Sequence, residues 1–205
     1  MIKIGINGFG RIGRLILRAL LENYKDKIQV VAINDLGSIE TNAHLIKYDS
    51  THGTLNHDVK TSKDGFEISN QKIKVFAEKD PAKIPWGKVG ADVVLECTGR
   101  FLDKTTAQNH IKGGAKKVII SAPAKEVDFT IVQGVNSKEL KKDHNIISNG
   151  SCTTNCLAPV AMVLENNFGI EYGYMLSLIH ISEPTRRYAR SVAVLCVKKK
   201  RGGGG

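Results

Sequence analysis

The chain has 205 residues, of which 41% are hydrophobic and 24% are charged, and its formal net charge at pH 7 is +10. This composition supports an ordinary core and excludes a compositionally disordered chain, and no apolar run approaches the roughly 18 residues of a membrane-spanning helix. Because the start of the chain lacks the apolar stretch of a signal peptide, we expect the four cysteines to be free thiols of a cytoplasmic protein.

The first 76 residues predict a strand, a helix and a second strand, followed by a short helix and a group of small strands. Apolar residues fill 2–6 and 28–33, which predicts two buried strands. Between them, apolar residues recur at helical spacing over 12–21, with Arg14 and Arg18 on another face. Residues 38–45 predict a short helix, and turn residues divide 59–76 into small antiparallel strands.

The chain then continues to alternate between strands and helices. Strands are predicted over 93–97, 117–121, 129–132 and 146–147, and helices over 105–111 and 151–167. Gly113 and Gly114 end the first of these helices, and Pro159 lies inside the second, where it should produce a kink. Alternation of this kind is typical of an α/β protein with a parallel sheet.

Gly8, Gly10 and Gly13 form a G-x-G-x-x-G motif between the first predicted strand and helix. Such glycines allow a tight turn and a close approach to a pyrophosphate, which predicts a Rossmann-type doubly wound sheet that binds a dinucleotide. Asp35 follows the second strand, where a carboxylate binds the ribose 2′-OH of NAD and repels the 2′-phosphate of NADP. The alternative is a glycine-rich turn and a strand-end aspartate without any ligand.

Cys152 lies where a loop enters a predicted helix, between Ser151 and Thr153. The helix dipole and free N–H groups of a first turn stabilise a thiolate and lower the pKa of the thiol. The neighbouring hydroxyl groups could hold a phosphate or an oxyanion, while Cys156, one turn further on, is expected to be more buried. The spacing equally allows two small apolar helix residues capped by Ser151, and no second ligand pair supports a metal site.

Six motifs together resemble phosphorylating glyceraldehyde-3-phosphate dehydrogenases. They are Asn7-Gly8-Phe9-Gly10-Arg11-Ile12-Gly13-Arg14, Asn34-Asp35-Leu36, Tyr48-Asp49-Ser50-Thr51-His52-Gly53, Glu96-Cys97-Thr98-Gly99, Ser121-Ala122-Pro123 and Ser151-Cys152-Thr153-Thr154-Asn155-Cys156. The last motif is specific to this family and its erythrose-4-phosphate relative. The resemblance runs to about Met175 and implies an NAD-binding Rossmann domain over 1–150, with 151–175 as the first helix of a truncated catalytic α+β domain.

The resemblance implies a glycolytic enzyme that uses NAD and inorganic phosphate to oxidise glyceraldehyde 3-phosphate, as a homotetramer in its full-length form. Cys152 would be the catalytic nucleophile and form a thiohemiacetal and then a thioester. Substrate contacts are implied for Ser151, Cys152 and Thr153, and no metal is implied. Cofactor contacts are implied for Gly8, Gly10, Arg11, Ile12, Gly13, Asn34, Asp35, Lys79, Thr98, Gly99 and Ser121.

The resemblance ends after about Met175. The family places the histidine that activates the cysteine 27 residues downstream, where this chain has Ile179, and His180 comes one residue late. In a strand, a slip of one residue points a side chain to the opposite face. Residues 177–205 hold seven basic residues, one acidic residue and four final glycines. We therefore interpret 176–205 as an unrelated, artefactual tail and expect this truncated chain to lack activity.

Two other functions stay open at this point. The motifs bind a cofactor and an aldehyde carbon without measuring sugar length, so the substrate could be erythrose 4-phosphate. Alternatively, the chain is a non-catalytic NAD-binding module whose tail, with a net charge of +6, holds nucleic acid in a salt-sensitive manner. Tyr188 is the one aromatic residue of that tail, which argues against recognition of bases and makes a nucleic-acid partner the weaker interpretation.

Overall fold

The computed structural model describes residues 1–175, and these residues belong to two compact units. The first unit comprises residues 1–131 and 136–151, and the described part of the second comprises 132–135 and 152–175. The predictions for Ile179, His180 and the rest of 176–205 lie outside the described residues. Between residues 1 and 175, no helix has the length and apolar character needed to cross a membrane.

A nine-stranded sheet forms the centre of the first unit, in the order β10-β11-β9-β8-β1-β2-β7-β6-β5, and β3 and β4 form a separate antiparallel pair. The elements in chain order are β1 (Ile2–Asn7), α1 (Arg11–Asn23), β2 (Ile28–Asn34), α2 (Ile39–Lys47), β3 (Tyr48–Asp49), β4 (Gly53–Thr54), β5 (Val59–Ser62), β6 (Gly65–Ile68), β7 (Gln71–Phe76), β8 (Val93–Glu96), α3 (Lys104–Lys112), β9 (Lys117–Ile120), β10 (Phe129–Thr130) and β11 (Ile146–Ser148).

Seven neighbouring strands, from β10 to β7 in the sheet order, are parallel. Their apolar sequences fit this arrangement, because parallel strands are usually covered on both faces. The predicted Rossmann-type parallel sheet is confirmed. The small antiparallel strands predicted over 59–76 are confirmed by the pairing of β5 with β6 and of β6 with β7. In addition, β7 is parallel to β2, with Phe76 opposite Asn34, which was not predicted. The carboxyl end of β7 therefore lies at the same edge of the sheet as that of β2.

The direction of the connections reverses at β1, which lies between β2 and β8. The chain passes from β1 through α1 to β2 on one side, and β8 is added later on the other side. In open α/β sheets, ligands bind outside the carboxyl ends of the strands at such a switch point. The residues that follow β1, β2 and β8 are therefore the first place to look for a site.

Arg18 of α1 is buried, although the helical pattern predicted a polar face for it. Its side chain donates hydrogen bonds of 2.7 to 3.1 Å to the carbonyl groups of Ile46, Lys47 and Gly53. The last carbonyl groups of a helix have no partners within that helix and carry the negative end of its dipole. The end of α2 therefore stabilises a buried guanidinium, and Arg18 joins α1 to α2 and β4.

The helix bounds follow from their capping residues. Ser38 caps α2 by accepting a hydrogen bond of 3.1 Å from the N–H of Thr41, and Asp103 caps α3 by accepting one of 2.8 Å from Thr106. Both are residue types that favour this position because their side chains satisfy an N–H that the helix leaves open. Gly113 follows the end of α3 as predicted.

The second unit contains α4 (Cys152–Phe168), which continues through Pro159. Several of its large apolar side chains are exposed, including Val160, Leu164 and Phe168. Cys156 is also exposed, which contradicts the expectation that it is more buried than Cys152. The helix and the segment 170–175 enclose an apolar groove of about 210 Å³.

Candidate cofactor site and nucleophile

A cleft of about 600 Å³ lies at the carboxyl ends of four parallel strands. The residues that line it follow β1, β2, β7 and β8, as the switch point in the sheet predicts. They are Asn7, Gly8, Gly10, Asn34, Asp35, Leu36, Glu78, Lys79, Pro81, Cys97, Thr98, Arg100 and Phe101. Six of the predicted cofactor residues are among them: Gly8, Gly10, Asn34, Asp35, Lys79 and Thr98.

The glycine loop between β1 and α1 has little room for side chains. Gly8 has a positive φ of 88°, and a Cβ on it would lie 2.8 Å from the backbone N of Thr98. A Cβ on Gly13 would lie 2.3 Å from the carbonyl oxygen of Gly8. The packing of the protein itself therefore requires glycine at both positions. Among residues 1–175, no atom lies within 4 Å of a Cβ placed on Gly10, so the described part of the chain leaves the space beside Gly10 open.

The N-terminus of α1 offers unsatisfied donors beside this loop. Gly10 is the N-cap and has no side chain to cap the helix, and the first turn carries no acidic residue. The N–H groups of Arg11 and Ile12 are therefore available to an anion, which the dipole of the helix also attracts. The side chain of Arg11 is turned to Asp49 at 2.6 Å, and that of Ile12 is exposed. Arg11 and Ile12 can therefore bind an anion through their backbone N–H groups rather than through their side chains.

Asp35 holds the turn of the glycine loop as well as lining the cleft. One carboxylate oxygen accepts a hydrogen bond of 2.9 Å from the N–H of Phe9, and the other accepts one of 2.8 Å from the N–H of Gly37. Each oxygen keeps further acceptor capacity for a ribose hydroxyl. The hydrogen bond to Phe9 fixes the carboxylate against the loop, and no pattern in the sequence predicts this contact.

Asn34 is buried and connects three strand ends. Its Oδ1 accepts a hydrogen bond of 2.8 Å from the N–H of Glu78, and its Nδ2 donates to Oδ1 of Asn7 at 2.8 Å. Asn34 therefore joins the segments that follow β1, β2 and β7. Lys79, next to Glu78, is exposed at the rim of the cleft.

The segment after β8 forms the wall of the cleft that faces the end of β1 and the glycine loop. The backbone N–H of Thr98 donates to Oε1 of Glu96 at 2.7 Å, and its hydroxyl group donates to the same oxygen. Burial raises the pKa of Cys97 to about 11, although a hydrogen bond with Ser121 opposes the rise. Cys97 is therefore a protonated thiol at neutral pH. Gly99, with φ of 69°, continues the turn after Thr98.

Five of the predicted cofactor residues do not line the cleft itself. Arg11, Ile12 and Gly13 lie in the first turn of α1, and Gly99 follows a lining residue. Ser121 directly follows β9 and donates its N–H to the carbonyl oxygen of Glu96. Lining residues such as Asn7, Glu78 and Phe101 were not predicted as cofactor residues. Glu78 had a signal, since it follows a strand, but the sequence did not indicate that this strand also pairs with β2 and ends at the cleft.

The candidate nucleophile belongs to the second unit. Cys152 is the first residue of α4, as predicted, and is exposed. Thr153 follows in the same helical turn and is half-buried, as is Ser151 directly before the helix. Residues 1–175 contain no cluster of histidine, cysteine and acidic side chains that could hold a metal ion.

Comparison with known families identifies the chain. Residues 2–104 match the family model described as glyceraldehyde 3-phosphate dehydrogenase, NAD binding domain. The chain belongs to the glyceraldehyde-3-phosphate dehydrogenase family. Residues 151–201 match the C-terminal domain of the same family, a match that extends beyond Met175.

Curated relatives support the same family. Glyceraldehyde-3-phosphate dehydrogenase 1 of Bacillus cereus is 53% identical over 181 residues, which cover 88% of this chain and 53% of that relative. The Streptomyces coelicolor enzyme is 54% identical over 178 residues, 86% of this chain and 53% of its own length. A plasmid-encoded relative from Cupriavidus necator is 47% identical over 212 residues, 98% of this chain and 63% of its own length. The chain thus spans about half the length of the first two relatives.

NAD is the cofactor of this domain, and the cleft fits it. The open space beside Gly10, the uncapped start of α1 and the carboxylate of Asp35 are the features that a pyrophosphate and an adenosine ribose require. The resemblance inferred from the six motifs is therefore confirmed at the level of the family and its cofactor.

Proposed function

We propose that the protein is an NAD-dependent, phosphorylating dehydrogenase of glyceraldehyde 3-phosphate, to which this chain contributes the NAD site and the nucleophile. The observation that carries the proposal is the presence, in one chain, of the cleft described above and of a helix that begins at an exposed Cys152. Relatives that are about half identical bear the name of this enzyme.

In this proposal the N–H groups of Arg11 and Ile12 bind the pyrophosphate, and Asp35 binds the adenosine ribose. Lys79, at the rim of the cleft, contacts the adenine. The remainder of the cofactor is contacted by Thr98, Gly99 and Ser121. The loop can lie close to the pyrophosphate because its residues Gly8, Gly10 and Gly13 have no side chains. Asn34 stabilises this loop through its hydrogen bond to Asn7. Bound NAD supplies the two-electron oxidation, because its nicotinamide accepts a hydride.

The proposed chemistry of the chain itself belongs to Cys152. Its thiolate adds to the aldehyde carbon of glyceraldehyde 3-phosphate, which forms a C–S bond, and the resulting alkoxide takes up a proton to give a thiohemiacetal. A base would then remove this proton, and the two-electron oxidation that bound NAD would supply would leave Cys152 as a thioester. Inorganic phosphate then attacks the thioester carbon, the C–S bond breaks, and 1,3-bisphosphoglycerate leaves while the thiolate is restored. Because the reaction passes through a covalent intermediate, the oxidation and the acyl transfer occur as separate steps.

The hydroxyl groups of Ser151 and Thr153 are proposed to hold the substrate or the attacking phosphate beside Cys152. We further propose the organisation of the family for the whole protein: a cytoplasmic homotetramer in which 1–150 form the NAD-binding domain and 151–175 begin the catalytic domain. With Ile179 where the family has its activating histidine, we expect the 205-residue chain to bind NAD and to show little turnover.

Alkylation of the cysteines tests the assignment of Cys152 without requiring turnover. Glyceraldehyde 3-phosphate should slow alkylation of Cys152 by iodoacetamide, because a thiohemiacetal occupies its sulfur. Cys156, which is also exposed and lies on the same helix, is the matched control and should react at an unchanged rate. Peptide mass spectrometry measures both rates. Equal protection of the two cysteines, or protection of neither, would contradict the proposed nucleophile.

The same assay separates the triose from the tetrose substrate. If the proposal holds, glyceraldehyde 3-phosphate protects Cys152 at a lower concentration than erythrose 4-phosphate does. Stronger protection by the tetrose would instead favour the erythrose-4-phosphate alternative. Steady, phosphate-dependent production of NADH by the 205-residue chain would contradict the expectation of little turnover.

A further inference from the structure

A buried carboxylate lies directly beneath the cofactor cleft without lining it. Glu96 is the last residue of β8, and its side chain is completely buried. Its Oε2 accepts hydrogen bonds from Nδ2 of Asn7 at 2.6 Å and from Nε2 of His110 at 2.9 Å. Its Oε1 accepts from the backbone N–H and the hydroxyl group of Thr98. Donors therefore surround the carboxylate on both oxygens.

The direction of these hydrogen bonds is fixed from both ends. At one end, the indole N–H of Trp86, which can only donate, contacts Nδ1 of His110 at 3.0 Å. Nδ1 must then accept, so the imidazole is the neutral tautomer with its proton on Nε2, directed at Glu96. At the other end, the backbone N–H of Glu78 makes Oδ1 of Asn34 an acceptor, so that Nδ2 of Asn34 donates to Asn7.

Because Oδ1 of Asn7 accepts the hydrogen bond from Asn34, the Nδ2 group of Asn7 is the one that is directed at Glu96. Every neighbour of the carboxylate among the described residues is thus a donor, and position 96 must be an acceptor on both oxygens. A glutamine has the same size but one NH₂ group, which would face either Thr98 or the pair Asn7 and His110. A buried donor that loses its acceptor costs a large amount of free energy. The donors on one side of residue 96 would therefore move away from it.

The two sides that Glu96 holds are the two walls of the cleft. Asn7 ends β1 and Gly8 follows it, while Thr98 and Gly99 follow β8. These walls approach each other closely, since a Cβ on Gly8 would lie 2.8 Å from the N atom of Thr98. We propose that Glu96 is a positioning residue for NAD, whose carboxylate sets the separation between these two walls. The proposal rests on the assignment of the cleft to NAD in the proposed function.

The test compares Glu96→Gln with Val94→Ala in the 205-residue chain. Val94 lies two residues earlier on the same strand, is fully buried and does not line the cleft, so Val94→Ala controls for a general loss of stability. Calorimetric titration should give a Kd for NAD at least about tenfold higher for Glu96→Gln and within about twofold of the wild-type value for Val94→Ala. The melting temperature of both variants is measured in parallel.

A second readout does not depend on the cofactor. Without NAD, exchange of the Gly8 and Thr98 amide hydrogens should be accelerated in Glu96→Gln relative to Val94→Ala at equal stability. If Glu96→Gln does not fold, Glu96→Asp replaces it, because it keeps the charge but withdraws the carboxylate by one methylene group, and it should also weaken NAD binding.

The outcomes separate the two proposals. An NAD affinity of Glu96→Gln within twofold of the wild-type value, or an equal loss in Val94→Ala, overturns the positioning role. Failure of the wild-type chain to bind NAD overturns the proposed function instead, and the amide exchange of Gly8 and Thr98 still decides whether Glu96 holds the two walls.

Discussion

The guanidinium of Arg11 and the carboxylate of Asp49 lie 2.6 Å apart, and this ion pair connects the start of α1 to the end of β3. Hydrogen bonds from the N–H groups of His52 and Thr51, together with the charge of Arg11, hold the pKa of Asp49 well below its usual range despite the cost of burial. Asp49 is thus a fixed anion, and the side chain of Arg11 is already engaged beside the cofactor site.

We expect removal of this ion pair to have little effect on NAD binding, because Arg11 offers the pyrophosphate its backbone N–H. The double variant Arg11→Ala/Asp49→Asn keeps the net charge constant and retains an oxygen that can accept the N–H groups of Thr51 and His52. Its Kd for NAD, measured by calorimetry, should stay within about threefold of the wild-type value. A charge-assisted bond from the side chain to a phosphate would instead make the loss about tenfold or more, which would contradict the backbone assignment.

Gly10 and Gly13 should respond differently to alanine. A Cβ on Gly13 meets the carbonyl oxygen of Gly8, and overpacking of this kind costs about 1–3 kcal/mol, or several degrees of melting temperature. The Cβ of Gly10→Ala meets no atom of the described residues, so the variant should cost less than about 1 kcal/mol as a weaker N-cap, yet weaken NAD binding about tenfold.

Thermal unfolding and NAD titration of the two glycine variants provide the measurement, and each variant is the control for the other. If Gly10→Ala bound NAD as tightly as the wild-type chain, the pyrophosphate would not lie against the open side of Gly10.

Asp128 should make the stability of the first unit depend on acid pH. Burial raises the pKa of its carboxyl group, but hydrogen bonds from Lys104 and from the N–H groups of Ile146 and Asn145 outweigh burial and lower the pKa to about 2. The unfolded value is about 3.9. The stability that this carboxylate contributes is therefore present above about pH 4 and is lost as the pH falls through about 2.

Urea unfolding of Asp128→Asn at several pH values measures this contribution. The variant should be less stable than the wild-type chain at pH 7, and the difference should shrink between pH 4 and pH 2. Asp26→Asn, at an exposed position, should show no such trend. A difference between Asp128→Asn and the wild-type chain that stays constant down to pH 2 would show that the low pKa is absent.

Cys97 should resist alkylation in the folded chain. With a pKa of about 11, only about one thiol in a thousand is ionised at pH 8, and the residue is half-buried as well. Cys152 and Cys156 are exposed and should react at least about a hundredfold faster. Peptide mass spectrometry after timed alkylation measures the rates, and denatured chain shows the full reactivity of Cys97. Equal labelling of Cys97 and Cys156 before unfolding would contradict this environment.

The periodicity of the sequence predicted most of the fold because its signals are local. The strand 2–6, the helix 12–21 and the glycine motif lie within the first 21 residues, and each appears in the structure as β1, α1 and the loop between them. The direction of β7 depends instead on which distant strand it joins. Its pairing with β2 could not be inferred from 71–76 alone, and Glu78 was missed for the same reason.

Buried polar residues were the other limit of prediction. In the sequence, Arg18 fits a polar helix face. In the structure it is buried, because its guanidinium donates hydrogen bonds to the carbonyl groups at the end of α2. Likewise, nothing in the local sequence brings Glu96, His110 and Trp86 together, since 14 and 24 residues separate their hydrogen-bonded pairs. Such networks are decided by tertiary contacts, which a pattern of apolar positions does not encode.

The most direct test of this account is a calorimetric comparison of NAD and NADP binding to the 205-residue chain. The cleft, the uncapped start of α1 and the carboxylate of Asp35 predict one NAD per chain and an affinity for NAD at least about tenfold higher than for NADP, because Asp35 repels a 2′-phosphate. Absence of NAD binding, or equal affinity for the two cofactors, would contradict the assignment of this cleft as an NAD site governed by Asp35.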